Sequence, residues 1–495
     1  MLSREHIDEL RALLGADGVM ATEAARFTYE SDALTLEREM PDVIVLPRTG
    51  DDVAMIVCWA RERGVPVTPR GAGTGLAGGA TPAKRGIVLS VNRMDRVLQV
   101  DPENMHAWVQ PGLVNLWLSQ QVEEHGLYYA PDPSSQQVST IGGNVAANAG
   151  GPHCLKYGVT LNHILGLVVV LHDGSTVTLG GEAFDAPDYD LAALLIGSEG
   201  TLGIVTEICV RLLPRPEAVK TMLFDFDTVA AACRTVTAAI AAGIVPAAME
   251  IMDRHTVTLV EDWLHIGLPT DAGGVLLIEV DGPAVSLEAQ GEKIVALAQE
   301  HGTRSVRIAQ DDAERTALWK GRKSAFGAYG RTASGFYIMD GVVPRTKLAE
   351  ALEIVYRLAH ERGLEAGNVF HAGDGNLHPH VLFDANDPRQ QARALEASHE
   401  ILRMCIRFGG TISGEHGVGL EKRSMMRELF SETDLEVMER VRAALNPEGL
   451  LNPCKILPGG AGCGEAAHAH VANGPAQPAQ MGGMKPRGDR EGPWI

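Results

Sequence analysis

The segment FHAGDGNLHPH places three histidines close together in the chain, at positions 371, 378 and 380. The Gly-Asp-Gly between His371 and His378 disfavours a helix, so we expect a loop that folds back and brings these two rings together. Imidazoles arranged in this way are ligands for a divalent metal such as zinc or manganese. The segment GGTISGEHGVG adds Glu415 and His416, whose flanking glycines let both side chains project into one cavity. A histidine taken alone is more often a structural hydrogen-bonding residue than a ligand, but two such clusters in one chain favour a metal site.

A glycine-rich segment, PRGAGTGLAGG (residues 69–79), contains the G-x-G-x-x-G spelling of a dinucleotide-binding loop. That fingerprint requires a helix opening at the loop, whereas this chain continues into Pro82 and a predicted strand that begins at Ile87. A Rossmann NAD site is therefore not expected. The backbone N–H groups of the loop can instead line a concavity for a diphosphate, with Arg70 and Thr74 as additional donors.

Two further glycine-rich loops follow, PDPSSQQVSTIGGNVAANAGG (residues 131–151) and GSEGTLGIVTE (residues 197–207). The first shows hydroxyls, amides and glycines without a helical period, and the second has a carboxylate, Glu199, that could accept from a ribose or an adenine amine. One such loop alone could be a connector. Three of them separated by strands indicate a long cofactor that threads between subdomains.

The order PRGAGTGLAGG, YYAPDPSSQ, STIGGNVAANAGG, CLKYG and GSEGTLGIVTE resembles the FAD-binding domain of flavoenzymes of the vanillyl-alcohol oxidase and p-cresol methylhydroxylase (PCMH) type. The resemblance implies non-covalent FAD, since relatives that tether the flavin often have a histidine in the first loop, where this chain has Thr74. The segment LNPEGLLNPCKILP resembles the stretch that returns to the FAD domain in that family. The implied FAD-binding residues are Arg70, Gly71, Gly73, Thr74, Gly75, Pro131, Asp132, Ser139, Thr140, Gly142, Gly143, Asn148, Glu199, Gly200, Gly203, Ile204 and Asn452.

The two histidine-bearing segments resemble the C-terminal domain of FAD-linked D-2-hydroxy-acid dehydrogenases. That resemblance implies that His371, His378 and Glu415 hold the metal and that His416 is the general base. The chemistry fits these roles, because the substrate hydroxyl must lose its proton as a hydride passes from the α-carbon to flavin N5. A Lewis-acidic metal lowers the pKa of that hydroxyl, and a neighbouring imidazole can accept the proton near neutral pH.

A 2-hydroxy acid also needs a cation for its carboxylate, and Arg322 in LWKGRKSAF lies where this family places such an arginine. A guanidinium suits bidentate carboxylate binding. The alternative, a solvated arginine on a charged helix, stays open because Lys320 and Lys323 are adjacent. Relatives that oxidise larger acids have a lysine just before the equivalent of Asp340. Here FYIMDG offers apolar side chains, which favours a short acid over 2-hydroxyglutarate.

The resemblance covers nearly the whole chain as far as Pro458 and, within the family, is strongest to the flavin-bearing subunits of bacterial glycolate oxidases. It implies oxidation of glycolate or a similar short D-2-hydroxy acid, beside a companion flavin-type subunit and an iron–sulfur subunit that pass electrons toward the quinone pool. A stand-alone D-lactate or D-2-hydroxyglutarate dehydrogenase is the alternative enzyme. Two non-enzymatic alternatives are weaker. A flavin-binding sensor with a decayed site would have lost the metal and base residues, which this chain retains, and a metal-storage protein would leave the three glycine loops unexplained.

Hydrophobic patterns predict a βαβ unit from a strand at 43–46, a helix at 51–63 and a strand at 65–68. Further strands are predicted at 87–91, 107–110, 166–171, 176–179, 204–212 and 275–280, and helices at 229–242, 286–300 and 347–362. The expected fold class is α+β. The predicted parts are a PCMH-type FAD-binding domain (1–216), an α+β, ferredoxin-like substrate or cap domain (217–410), a C-terminal segment that returns to the FAD domain (411–458) and a disordered tail (459–495).

Composition restricts the partners. The chain has 43 basic and 63 acidic side chains and a net charge of −20, which disfavours nucleic acid and anionic lipid surfaces. We find no apolar run of the roughly 20 residues that span a bilayer and no signal-peptide pattern, so we expect a cytoplasmic protein that is peripheral to the membrane only through its partners. The seven cysteines form no C-x-x-C pair, so any iron–sulfur cluster is expected on another subunit.

Overall fold

The computed structural model describes residues 2–183 and 189–459, and the described residues as far as Pro458 belong to one compact unit. Apart from Gly459, the predicted disordered tail lies outside the described residues. Each helix and strand predicted from the sequence is present, with its ends within about two residues of the predicted positions. The structure confirms the α+β class.

The part of the chain before residue 215 contains three small sheets with helices packed against them. Its strands are β1 (Val19–Met20), β2 (Val43–Val45), β3 (Val67–Arg70), β4 (Ile87–Ser90), β5 (Val97–Asp101), β6 (His106–Val109), β7 (Leu127–Tyr128), β8 (Ile164–Val170), β9 (Thr176–Gly180), β10 (Ile204–Arg211) and β11 (Leu213–Pro214). Its helices are α1 (Arg4–Leu14), α2 (Glu23–Phe27), α3 (Gly50–Glu62), α4 (Asn115–Gln121), α5 (Ile141–Ala147), α6 (Cys154–Tyr157) and α7 (Leu191–Leu195).

The predicted βαβ unit is present, and β4 lies between its two strands, so the order of the first sheet is β1-β2-β4-β3. Strands β2 and β3 both pair in parallel with β4. Helix α3 begins at a capping box formed by Thr49 and Asp52, and it buries Ile56 and Trp59 among other apolar side chains. Because β3 ends at Arg70, this sheet delivers the first glycine loop from its edge. A second, antiparallel sheet of order β5-β6-β10-β8-β9 carries the third loop just before β10.

The part of the chain after residue 217 is built around a nine-stranded sheet. Its strands are β12 (Ala218–Phe226), β13 (Ala248–Asp253), β14 (Gly274–Gly282), β15 (Thr303–Ile308), β16 (Gly335–Ile338), β17 (Gly341–Val342), β18 (Glu365–His371), β19 (Asn376–Leu377) and β20 (Pro379–Phe383). Its helices are α8 (Val229–Ala241), α9 (Arg254–Leu264), α10 (Ala284–Glu300), α11 (Asp312–Tyr329), α12 (Leu348–Glu361), α13 (Pro388–Arg407), α14 (Met426–Leu429) and α15 (Glu432–Leu445).

The nine-stranded sheet buries both faces, and successive residues of a strand point to opposite faces. Met249 and Ile251 of β13 join the core formed with α8, α10, α12 and α13. Ala248 and Met252 join the core formed with α9 and α11. Glu250 is two residues from both Ala248 and Met252, so its side chain points to the same face as theirs, the one that α9 and α11 cover.

The C-terminal segment runs back to the first sheet. Leu451 forms a parallel bridge with Val67, and the Asn452 N–H donates to the Val67 carbonyl at 2.8 Å. Earlier in the segment, the Leu420 N–H donates to the Ala77 carbonyl in the first glycine loop at 2.8 Å. These contacts support a C-terminal return to the FAD domain, and we retain the domain bounds as a proposal. Among the described residues, none of the helices has the length and apolar character that crossing a bilayer requires.

Candidate active site

A cavity of about 710 Å³ lies where the three glycine loops meet the nine-stranded sheet. It joins the predicted cofactor loops to the predicted metal and substrate residues, which are far apart in the chain. The predicted residues that line it are Arg70, Gly71, Gly73, Thr74, Gly75, Ser139, Thr140, Gly142, Gly143, Glu199, Gly200, Gly203, Ile204, Arg322, His371, His378, Glu415 and His416.

Four predicted cofactor residues are not part of the cavity lining and instead hold the loops around it. The Pro131 carbonyl accepts from Asn115, the Asp132 carboxylate contacts His153 at 2.9 Å, the Asn148 side chain accepts from Leu161 N–H, and the Asn452 amide donates to the Gly79 and Glu199 carbonyls. Direct contact between FAD and these four residues stays a prediction.

The first loop has the donors that a diphosphate requires. Among the described residues, we find no hydrogen bond from the backbone N–H groups of residues 71–75 to a protein acceptor. Two glycines are required by close approach: a Cβ on Gly71 would lie 2.3 Å from Thr140 Oγ1, and a Cβ on Gly73, at φ +74°, would lie 2.1 Å from Arg70 Nη2. The loop therefore presents unpaired backbone donors beside small side chains, which fits an anionic cofactor.

The second loop contains a helix that the sequence did not predict. Helix α5 begins after Thr140, whose hydroxyl accepts from the Gly143 N–H at 3.2 Å, and it buries Ile141 and Val145. Its two glycines lower the helix propensity, so tertiary burial decides the conformation. The signal available in the sequence was the threonine N-cap before the run that ends in Ala-Ala.

The third loop contributes Glu199, but its carboxylate is already engaged. Its oxygens accept from the backbone N–H groups of Val418 and Gly419 at 2.8 and 3.0 Å, so they anchor the segment that follows His416. Glu199 also lines the cavity, so its contact with a ribose or an adenine amine stays a prediction.

The two predicted imidazole ligands converge on the predicted carboxylate. The Nε2 atoms of His371 and His378 lie 3.3 and 3.1 Å from Glu415 Oε1. Nδ1 of His371 lies 2.7 Å from Glu250 Oε1, and Nδ1 of His378 lies 3.3 Å from the Met339 carbonyl. Because both acceptors are oxygens, each ring donates through Nδ1, so a cation bound beside Glu415 would be held through the two Nε2 atoms. The buried His378 Nε2 lies within ion-pair distance of Glu415 Oε1 but outside hydrogen-bond geometry. This donor set fits a divalent cation.

His416 lies beside this cluster, with its ring stacked on His378 at a centroid distance of 5.0 Å. Its side chain is only 13% exposed. Burial lowers the pKa of the His416 imidazole to about 4, so the ring is neutral at pH 7. Within the described residues, its Nδ1 has no hydrogen-bond partner. The third histidine of the motif, His380, also lines the cavity, where its ring stacks on Tyr329.

A buried carboxylate, Asp340, fixes the loop that carries Glu415 and His416. It accepts from the backbone N–H groups of Gly414, Glu415 and His416, the last at 2.8 Å, and from the Ser413 hydroxyl at 2.7 Å. The ammonium of Lys422, which is also fully buried, lies 3.2 Å from the same carboxylate. Sequence patterns gave Asp340 no role, because its donors come from a segment more than 70 residues further along the chain.

Arg322 belongs to helix α11 and is buried, with only 5% of its side chain exposed, so it is not the solvated arginine of the alternative interpretation. Its Nε and Nη2 atoms contact Oε2 of Glu250 at 2.6 and 2.5 Å. The other oxygen of Glu250 contacts His371. Glu250 was not predicted as a site residue, although an acidic residue inside the apolar strand segment AMEIM was a signal that could have identified it.

Comparison with known proteins identifies the family. A model for an FAD binding domain matches residues 41–180, and a model for the C-terminal domain of FAD linked oxidases matches residues 215–456. Glycolate oxidase subunit GlcD of Escherichia coli (strain K12) is 44% identical over 474 residues, which cover 96% of this chain and 94% of that protein. The GlcD of Bacillus subtilis (strain 168) is 40% identical over 92% of this chain and 97% of that protein. A D-lactate dehydrogenase of Archaeoglobus fulgidus is 33% identical over 91% of this chain and 99% of that protein.

Solved structures confirm the fold. Substrate-bound p-cresol methylhydroxylase superposes with a TM-score of 0.76 at 17% identity, over 91% of this chain and 95% of that one. The 4-ethylphenol oxidase of Gulosibacter chungangensis superposes with a TM-score of 0.75 at 18% identity, over 92% of this chain and 98% of that one. The PCMH-type architecture predicted from the three loops is therefore confirmed. With both domain models matched and relatives of high identity along nearly its whole length, the chain belongs to the FAD-linked oxidase family as an FAD-dependent hydroxy-acid oxidoreductase.

Proposed function

We propose that this protein oxidises glycolate, or a similarly short D-2-hydroxy acid, to the 2-oxo acid, with a divalent cation held by His371, His378 and Glu415. The observation that carries the proposal is the convergence of three groups on one cavity that the FAD loops also line. These groups are a buried guanidinium, a donor set suited to a metal and a neutral imidazole. Each answers one need of the substrate, namely its carboxylate, its hydroxyl oxygen and its hydroxyl proton.

The residues divide the chemistry between them. Bound FAD supplies the acceptor for the α-hydrogen of the substrate, and a bound divalent cation supplies the Lewis acidity that lowers the pKa of the hydroxyl. Arg322 binds the substrate carboxylate through the part of its guanidinium that Glu250 leaves free. His416 accepts the hydroxyl proton on an imidazole nitrogen, as a neutral ring 5.0 Å from that of a metal ligand can do.

The substrate is expected to be small. The strand β16 and the two residues after it read GFYIMD, and the one of these side chains that lines the cavity is Ile338, which provides no cation for a second carboxylate. The GlcD relatives are named for glycolate oxidation, which supports glycolate. The D-lactate dehydrogenase relatives support D-lactate as the second candidate, oxidised by a stand-alone enzyme. A D-2-hydroxyglutarate dehydrogenase is disfavoured because residues 335–340 contribute only Ile338 to the cavity, where relatives that oxidise larger acids have a lysine, although Lys323 also lines the cavity.

The word subunit in the name of the GlcD relatives supports a multi-subunit enzyme. We propose that this protein is the catalytic subunit, with a companion flavin-type subunit and an iron–sulfur subunit, and that the quinone pool is the indirect electron acceptor. Affinity purification from native cells, followed by iron analysis of the recovered complex, tests this assignment. Recovery of the active chain alone would favour the stand-alone enzyme.

The test of the mechanism is a pair of variants, His416→Asn and His378→Ala, assayed with a dye acceptor against glycolate, D-lactate, L-lactate and D-2-hydroxyglutarate. His416→Asn removes the base without removing a ligand, so flavin reduction should slow by about 10²- to 10⁴-fold with FAD and metal retained. His378→Ala removes a ligand, so metal content should fall, and added divalent ion should restore part of the activity. Rapid-mixing absorbance of the flavin and elemental analysis measure both outcomes. A parent protein that contains no divalent metal and ignores chelators would refute the metal-assisted mechanism.

A further inference from the structure

Glu250 contacts both the substrate-binding arginine and a metal-binding histidine. We propose that Glu250 is a positioning residue that fixes Arg322 and His371 relative to each other, so that the cation for the substrate carboxylate and the metal for the hydroxyl lie at a set separation. This inference rests on the proposed function. Glu250 is not part of the cavity lining, so it acts through these two residues and not on the substrate itself.

The fold brings the three side chains together from different elements. Glu250 of β13 is the antiparallel register partner of His371 of β18, so both side chains lie on the same face of the sheet. Helix α11 packs on that face and delivers Arg322. The Glu250 side chain is only 1% exposed, and those of Arg322 and His371 are 5% and 4% exposed. Hydrogen bonds and ion pairs of this kind are little weakened by solvent.

Each oxygen of Glu250 serves one partner. Oε1 lies 2.7 Å from His371 Nδ1, and Oε2 lies 2.6 and 2.5 Å from Nε and Nη2 of Arg322. The first contact sets the tautomer that leaves the His371 Nε2 lone pair for a metal. The second orients the guanidinium plane and leaves Nη1 for a substrate carboxylate.

An amide in place of this carboxylate cannot serve both partners. Glutamine has one acceptor oxygen and one NH₂ donor group. If its oxygen accepts from Arg322, the NH₂ group faces His371 Nδ1 and favours the tautomer with the proton on Nε2, which opposes metal binding. If the oxygen accepts from His371, the NH₂ group faces the guanidinium donors. Glu250→Gln should therefore weaken metal binding, substrate binding or both.

The experiment uses the FAD-loaded, chelator-treated full chain of the parent and of Glu250→Gln, with Zn²⁺ and Mn²⁺ titrated separately by calorimetry. We expect the Kd of the metal to rise by about 10- to 100-fold, as for other residues that orient metal ligands. In metal-saturated enzyme, we expect the KM for glycolate to rise by about 10-fold or more, since a charged hydrogen bond to the guanidinium is lost. Unchanged values of both the metal Kd and the KM would overturn the proposal.

Asp253→Asn is the matched control, because Asp253 lies in the same strand and is buried, but caps helix α9 and accepts from Tyr356 away from the cavity. It should lower the melting temperature without moving the metal Kd or the KM. If Glu250→Gln does not retain FAD, Glu250→Asp replaces it under the same criteria, since a shorter carboxylate keeps the charge but reaches only one partner. A parent that binds neither ion and oxidises none of the acids refutes the proposed function, whereas an active, metal-binding parent matched by its Glu250 variant refutes only the positioning role.

Discussion

Asp340→Asn is the most informative perturbation of the loop that carries Glu415 and His416. The aspartate is fully buried and accepts from three backbone N–H groups, the Ser413 hydroxyl and the ammonium of Lys422. Asparagine keeps the shape but removes the negative charge, and its NH₂ group must face groups that are themselves donors. Among the described residues, the buried ammonium of Lys422 then has no carboxylate within 3.5 Å, since that of Glu421 lies 3.8 Å away.

The expected loss follows from the burial of this pair. Breaking a buried ion pair by removing one partner costs about 3–5 kcal/mol of unfolding free energy, because the remaining charge is left uncompensated. Burial raises the pKa of Asp340, but His416, which is protonated at the low pH where Asp340 titrates, and the ammonium of Lys422 lower this pKa by more, so the net pKa lies well below its usual range. The depressed pKa means that this stabilisation is present above the unfolded-state pKa of about 3.9 and is lost as the pH falls toward the folded-state pKa. The unfolding free energy of Asp340→Asn should therefore lack the contribution that the parent loses at acidic pH.

Urea denaturation of the FAD-loaded parent, Asp340→Asn, Lys422→Met and the double variant measures the unfolding free energies. The double variant removes both charges, so its loss should be smaller than the sum of the single losses by about 0.5–3 kcal/mol. Metal content should fall in Asp340→Asn, because the backbone donors that hold the Glu415 loop lose their acceptor. A single-variant loss below about 1 kcal/mol, or losses that simply add, would contradict the assigned pairing.

Three further outcomes are expected. Arg322→Lys should raise the KM for the acid and lower kcat/KM without changing FAD content, since an ammonium cannot reproduce the planar guanidinium that contacts Glu250 through Nε and Nη2 and leaves Nη1 for the acid; unaltered steady-state kinetics would remove Arg322 from the substrate site. Acid precipitation should release the flavin into the supernatant, because the first loop has Thr74 where a tethering histidine would lie; yellow colour retained in the pellet would show a covalent bond. Gly419→Ala should lower the melting temperature and FAD retention, because the added Cβ, at φ +52°, would lie 1.9 Å from the Ala77 carbonyl oxygen; a melting temperature equal to that of the parent would show that the loop moves freely.

Much of the cofactor site was predictable from the sequence. The first and third loops are contiguous glycine-rich stretches between predicted strands, and their role depends on local backbone donors and on the absence of side chains. The same holds for the pairing of His371 with His378, which follows from the Gly-Asp-Gly turn between β18 and β19. Helix α5 was missed because its glycines give a weak local signal and the burial of Ile141 and Val145 stabilises it.

By itself, the sequence determined the kinds of chemical group that the chain presents and the local conformations that display them. The tertiary structure decided which of those groups are free to act. The carboxylate of Glu199 accepts from the backbone N–H of Val418, 219 residues away, a contact that no local pattern in the sequence indicates. Glu250 meets His371 across 121 residues only because β13 pairs with β18 in this register. Whether a polar group already has a hydrogen-bond partner depends on its neighbours in space. Burial makes these two pairings important for stability, because a polar group that loses its partner inside the protein has no water to replace it.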